Sequence, residues 1–366
     1  MNPYTDLPQD AFWSPAVAQK HMLDISGLWK APFPISTKTR IATYGSCFAQ
    51  HFSRALVARG YSWLNAEPAP RGIPEAEARR FSYGVFSSRT GNIYTTSLLL
   101  QWVEWALEKR VPPAIHWEKD GRIHDPFRPT VEPDGFGSVE EMLASRRSCI
   151  AAFRKSILES NLFVFTLGLT ESWWDTEGGF EYPMCPGTHA GTFDPARHMF
   201  RNQDYSFVRA NLVKAITLVR EHRDKGPRIL LTVSPVPLTA TNSGNHVLVA
   251  TMESKSILRA VAGNVAASLK GVGYFPSYEI INSPVFRGTF FEPNLRGVNG
   301  HGVAHVMNCF FAGLGADERV ELTKSASPRR MFRRNQPRSP STDDLKCDEE
   351  ILDAFGGRDE DNNSHR

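Results

Sequence analysis

Short apolar runs alternate with amphipathic stretches along the first 316 residues. Runs of strand length lie at 40–44 (RIATY), 162–167 (LFVFTL), 228–233 (RILLTV) and 278–281 (YEII), with 61–64 as a weaker fifth. Helical spacing fills the gaps between them. Residues 48–59 place Phe48, Phe52, Ala55, Leu56 and Arg59 at helical intervals and stop at Gly60, a residue suited to the left-handed position past a helix end. The stretch 96–110 is apolar on one side, and Ser138 opens a capping box with Glu141 for a helix ending near Ser160. Residues 207–223 stop before Gly226-Pro227, and 251–269 and 302–311 complete the helices. Strands that alternate with helices form a parallel sheet covered on both faces. The pattern predicts a three-layer, doubly wound α/β domain over 1–316, whose ligands bind beyond the carboxyl ends of its strands.

The pattern fades near residue 317. Residues 325–340 (SASPRRMFRRNQPRSP) are rich in Arg, Ser and Pro, and 343–361 are mostly acidic. Such blocks bury too little apolar surface to offset ordering entropy, so 317–366 is expected to be a disordered charged tail, with one helical turn at 349–355. The whole chain is 41% hydrophobic and 22% charged, which excludes wholesale disorder. Its 42 basic and 39 acidic residues leave a net charge of +3, no reason to expect a nucleic-acid partner. No run approaches the ~18 apolar residues of a membrane span. Residues 1–13 carry neither the basic nor the apolar part of a secretory signal, and five scattered cysteines form no CxxC pair. The expectation is a soluble cytoplasmic protein.

The chemistry should lie where strands end. The first strand runs into Gly45-Ser46-Cys47-Phe48-Ala49 and then a helix. Gly45 permits a tight turn, and Ser46 falls where free N–H groups stabilise a developing oxyanion. A hydroxyl there is either a nucleophile, given a base, or simply a helix N-cap. Cys47 is a rival nucleophile, because helix N-termini favour the thiolate.

Gly45 to Ala49 spell the motif of the GSCFA family, and the resemblance extends further. Arg89-Thr90-Gly91-Asn92-Ile93-Tyr94-Thr95, Gly168-Leu169-Thr170-Glu171-Ser172-Trp173, Ser234-Pro235-Val236-Pro237 and Tyr274-Phe275-Pro276-Ser277-Tyr278-Glu279 look like that family's blocks. So does Glu292-Pro293-Asn294-Leu295-Arg296 with Gly302 and His305-Val306-Met307. These blocks cover about 1–312 in order. The family resembles the SGNH (GDSL-like) hydrolases, which implies a flavodoxin-like sheet and ester hydrolysis or acyl transfer, often on carbohydrate O-acyl groups, with no cofactor. By that resemblance Ser46 is the nucleophile and supplies its own N–H to the oxyanion, with Gly91 as a second donor. The hydrolases' Gly-x-Asn-Asp matches Gly168-Leu169-Thr170-Glu171, so Thr170 stands where an Asn donor is expected, and Asn92 is the substitute amide. Loss of one such donor costs roughly 3–4 kcal/mol of transition-state stabilisation in a well-studied enzyme.

The hydrolases' Asp-x-x-His is missing. Anchoring on Gly302 puts Asn294 and Gly297 at those two positions, beside Arg296. A serine hydroxyl needs a base. His305 and His301, four apart on one helix face, are the first candidates, with Glu292 or Glu279 to orient the ring, and His189 is the third. The counter-expectation is a carbohydrate- or partner-binding protein on a hydrolase scaffold, without turnover.

Residues 175–202 read as a long loop rich in Gly, Pro and aromatics, a lid or a binding wall. Trp173, Trp174, Phe180 and Tyr182 suit either a sugar-binding surface or packing of the loop, and Glu171 would be an electrostatic partner of the substrate. His189, Asp194 and His198 match no trusted metal spacing. Lys255 and Arg259, four apart, either bind an anionic group or form a solvated helix face. No GxGxxG or Walker loop is present, which argues against nucleotide chemistry.

Overall fold

The computed structural model describes residues 2–222, 226–315 and 348–356. They divide into two compact units. One comprises the described residues of Met1–Ser36 and Phe275–Leu345, the other those of Thr37–Tyr274 and Lys346–Arg366.

The larger unit runs β1 (Ile41–Gly45), α1 (Ala49–Ala58), α2 (Glu75–Arg80), α3 (Thr96–Ala106), β2 (Trp117–Lys119), β3 (Arg122–His124), α4 (Val139–Glu159) and β4 (Leu162–Leu167). It continues with β5 (Glu171–Asp175), β6 (Phe180–Tyr182), β7 (His198–Asn202), α5 (Tyr205–Glu221), β8 (Arg228–Val233), α6 (Val247–Ser268) and β9 (Val272–Tyr274). The central sheet has the order β1-β4-β8-β9, every pair parallel. Every residue of β1 and β4 is buried, so both faces of the sheet are covered. On the free side of β1, Ile41 bridges Trp63, with Ile41 N–H on Ser62 O at 2.9 Å and Leu64 N–H on Ile41 O at 2.8 Å. The weak 61–64 run thus adds a short edge, and the parallel order becomes second-first-third-fourth-fifth, that of a doubly wound sheet. The strand order reverses between β1 and β4, and their carboxyl ends form the switch point.

Local chemistry sets the element ends. Ser138 Oγ accepts from Glu141 N–H at 3.2 Å, as the capping box predicts. Thr95 caps α3 and Asp204 caps α5 in the same way. α3 stops at Ala106 rather than near 110, because Glu108 turns left-handed at φ 57°. Asp120 and Gly121, both at positive φ, close the β2–β3 hairpin.

Two sequence expectations are overturned. Residues 278–281 are not a strand: they lie in α7 (Ser277–Asn282), and the last strand of the sheet is β9. A four-residue apolar run has no resolvable period, and Pro276 opens the helix by accepting Ile280 N–H at 3.0 Å. Residues 175–202 are not a free loop. With Glu171–Asp175 they form an antiparallel sheet of order β6-β5-β7, in which Trp173 faces Tyr182 on one side and Phe200 on the other. The Gly and Pro content of 178–187 masks aromatic residues whose natural setting is a strand.

The smaller unit carries α7 and α8 (Gly300–Gly313). Trp29 stacks on Phe310 at 5.3 Å and meets Phe275 edge-on at 5.0 Å. Gly313 is required there, since a Cβ would stand 2.4 Å from Trp29 Cε3. Of the expected tail, 348–356 are described: a 3₁₀ turn, Asp348–Leu352, leads into α9 (Asp353–Gly356) in the larger unit. The rest of that expectation lies outside the described residues. No described helix is long and apolar enough to cross a membrane.

Candidate functional site

Gly45 ends β1 at φ +130°, and a Cβ on it would sit 2.3 Å from Thr166 O of β4. Only glycine fits so close a backbone approach. The chain then turns through Ser46-Cys47-Phe48 before α1 begins at Ala49. Phe48 holds the N-cap position and no side chain caps the helix, so the N-cap explanation for Ser46 fails. Ser46 is 2% exposed, and its Oγ is buried without a hydrogen-bond partner among the described residues. Leaving a buried hydroxyl unsatisfied costs roughly 1–3 kcal/mol, and native structures contain few such groups.

This oxygen faces a cavity at the switch point. Its walls are Ser46, Tyr94, Gly168, Leu169, Ser234 and Lys255, together with Cys47 and 236–238. The volume is about 10 Å³, room for one water. Gly168 follows β4 and packs on the Ser46 turn: a Cβ there would be 3.1 Å from Ser46 Cβ and 2.9 Å from Tyr94 Cδ1. Lys255, on α6, is 2% exposed and donates from Nζ to Gly168 O at 2.5 Å. Ser234, just past β8, donates its N–H to Leu167 O at 2.8 Å, and its Oγ accepts from Val236 N–H at 3.3 Å. Among the described residues lining this cavity Lys255 is the one amine, and none is a histidine.

The structure engages most of the expected oxyanion donors elsewhere. Ser46 N–H is bonded to Thr166 O at 3.1 Å. Thr170 Oγ1 donates to Asn202 Oδ1 at 2.6 Å, because β7 closes over it. Asn92 Nδ2 donates to Asp348 Oδ2 at 2.7 Å. Gly91 is left-handed at φ +67°, and the next residue but one, Ile93, donates its N–H to Gly45 O at 2.9 Å, so this block does flank the Gly45-Ser46 turn.

The expected bases have other surroundings. His305 stacks on Phe290 at 4.9 Å, with Nε2 3.9 Å from Cys309 Sγ, and burial lowers its pKa. His301 is exposed in the first turn of α8. His189 meets His124 edge-on at 5.1 Å. Burial, with His124 adding to it, lowers its pKa to about 4. His198 Nδ1 accepts from Asp194 N–H at 3.0 Å. Glu171, its pKa raised by burial, accepts from the Thr241 hydroxyl and from Asn242 N–H at 3.2 Å. Trp173 packs on Phe193 and Phe200, and Phe180 and Tyr182 are buried, which favours packing over a sugar platform for these rings. Lys255 and Arg259 do not form a solvated face: Lys255 is buried at the cavity, and Arg259 lies over the Tyr274 ring at 4.1 Å.

The sequence pattern did not place Lys255 or Ser234 beside Ser46. The Ser234-Pro235 block was a visible signal for the second; the first sits mid-helix, where a lysine looks ordinary. The GSCFA family model matches residues 40–310. No curated protein and no solved structure matches the chain.

Proposed function

This chain belongs to the GSCFA family, and we propose that it catalyses acyl transfer from O-acyl esters, carbohydrate-linked ones foremost, with Ser46 as nucleophile and Lys255 as proton acceptor. The observation that carries this reading is the unpartnered Ser46 hydroxyl sharing a one-water cavity with the Lys255 amine. A serine paired with lysine is a recurrent variant of the serine–histidine arrangement, and a lysine removed from water is the type of amine that acts as general base.

In this reading the neutral amine takes the hydroxyl proton as Ser46 Oγ bonds to the acyl carbon. The tetrahedral oxyanion is met by the Ser234 hydroxyl, whose oxygen already accepts from Val236 and whose proton can therefore point inward. Collapse breaks the ester C–O bond, and the leaving alkoxide takes the proton back from the ammonium. Water or a second sugar hydroxyl then attacks the acyl-serine, and the same amine relays that proton.

A fluorophosphonate probe tests this directly. Ser46 in the wild type is expected to be labelled, as read by peptide mass spectrometry, and p-nitrophenyl acetate to be turned over. Ser46→Ala should abolish both, and Lys255→Met should slow both by about a hundredfold or more. A second reading, binding without turnover, is favoured by the enclosure of the hydroxyl and the engaged donors. An unlabelled Ser46, together with glycan binding indifferent to Ser46→Ala, would select it.

A further inference from the structure

Asp348 is an acidic residue near the end of the chain, yet it is 6% exposed. Carboxylates are rarely buried unless paired. Its two oxygens are taken by two neutral donors: Asn92 Nδ2 on Oδ2 at 2.7 Å and Thr130 Oγ1 on Oδ1 at 2.5 Å. Those donors lie 256 and 218 positions away. They sit on two segments bolted together by buried guanidiniums. Arg89 donates from NH2 to Val131 O at 3.2 Å and to Glu132 Oε1 at 2.5 Å, and Arg128 donates from NH1 to Arg89 O at 3.4 Å. None of these ties involves the C-terminal segment, so the two segments that carry the donors are held together without it.

The geometry points to a carboxylate-binding recess for small acid-bearing ligands, formed by Asn92 and Thr130 and occupied in this structure by the chain's own Asp348. An ionised carboxylate accepts at both oxygens, and hydrogen bonds to a charged group are the stronger kind, so this pair of donors holds an acid more tightly than an alcohol or amide. Ile93, next to Asn92, is bonded to Gly45, so an acid held here stands beside the Ser46 turn. The C-terminal segment and a free acid compete for one place. The recess does not depend on the acyl-transfer reading.

The test uses the full chain and the side-chain amide resonance of Asn92, assigned by its loss in Asn92→Ala. Asp348→Gly, which empties the recess, should shift that resonance. Sodium acetate should return it towards its wild-type position in a saturable way, while sodium chloride at equal concentration should not. Wild type, already filled, should need at least tenfold more acetate for the same response. Thr130→Val in the Asp348→Gly background should abolish the acetate response. No saturable response in Asp348→Gly, or equal responses to acetate and chloride, would overturn the proposal. Fluorophosphonate labelling of Ser46 is a separate readout: its failure would remove the acyl-transfer reading and leave the recess untouched.

Discussion

Asp125 and Ser46 are both buried polar residues of the larger unit, and their surroundings differ in completeness. Asp125 accepts from Phe127 N–H at 3.0 Å, Arg128 Nε at 2.9 Å and Arg146 NH2 at 2.8 Å. Arg146 also donates to the carbonyls of Pro113 at 2.6 Å and Ile115 at 2.9 Å, and lies over the Phe127 ring. The neighbouring guanidiniums hold the Asp125 carboxyl below the usual range despite its burial. Around Ser46, by contrast, its own Oγ and that of Thr166 lack partners among the described residues. A satisfied buried network rigidifies a scaffold, whereas a buried hydroxyl left without a partner persists against a cost and invites a functional explanation.

Asp125→Ala leaves two buried guanidiniums without their acid and should destabilise the protein by about 3–5 kcal/mol, read as a lower midpoint in urea unfolding. A loss under about 1 kcal/mol would mean that the satisfied network carries little of the scaffold.

Glu181 is buried as well, and its side-chain hydrogen-bond partners are hydroxyls. It accepts from Thr95 and Ser97, and burial pushes its pKa up to about 7 against an ordinary 4.5. The native state therefore keeps a proton that the unfolded chain has lost between those values. Stability should fall as pH rises from about 4.5 to about 7 and level off above, by roughly 3 kcal/mol in all. Glu181→Gln should flatten that part of the pH dependence of thermal unfolding; an unchanged slope would remove Glu181 as its source.

The smallest effect expected is on the stability of Ser46→Ala. Deleting a hydroxyl that has no partner should leave the unfolding midpoint unchanged or raise stability by up to about 1 kcal/mol, even as it abolishes labelling. A loss of more than about 1 kcal/mol would show that Ser46 is part of the scaffold after all.

Much of the fold was legible along the chain. β4 and β8 fall on the predicted runs at 162–167 and 228–233, and α4 begins at the predicted cap. Continuous apolar runs of strand length between amphipathic helices have few ways to bury themselves. Aromatic strands behind a Gly- and Pro-rich stretch were not legible, nor was a four-residue apolar run after a proline, because local pattern in each is compatible with two conformations. At the site, the Gly45-Ser46 turn was readable from its spacing. The engagement of Ser46 N–H, Thr170 and Asn92 was not, since each partner comes from a distant segment.

The order of apolar and polar residues sufficed to specify a parallel layered sheet and a serine at the end of its first strand, because both follow from neighbours a few positions apart. Which amine shares that serine's cavity, and which acid fills the recess beside it, depended on close packing between segments far apart in the chain. Lys255 reaches Gly168 across 87 positions and Asp348 reaches Asn92 across 256. Such contacts form only when the assembled core brings those segments within hydrogen-bond range, and no periodicity in the chain encodes them.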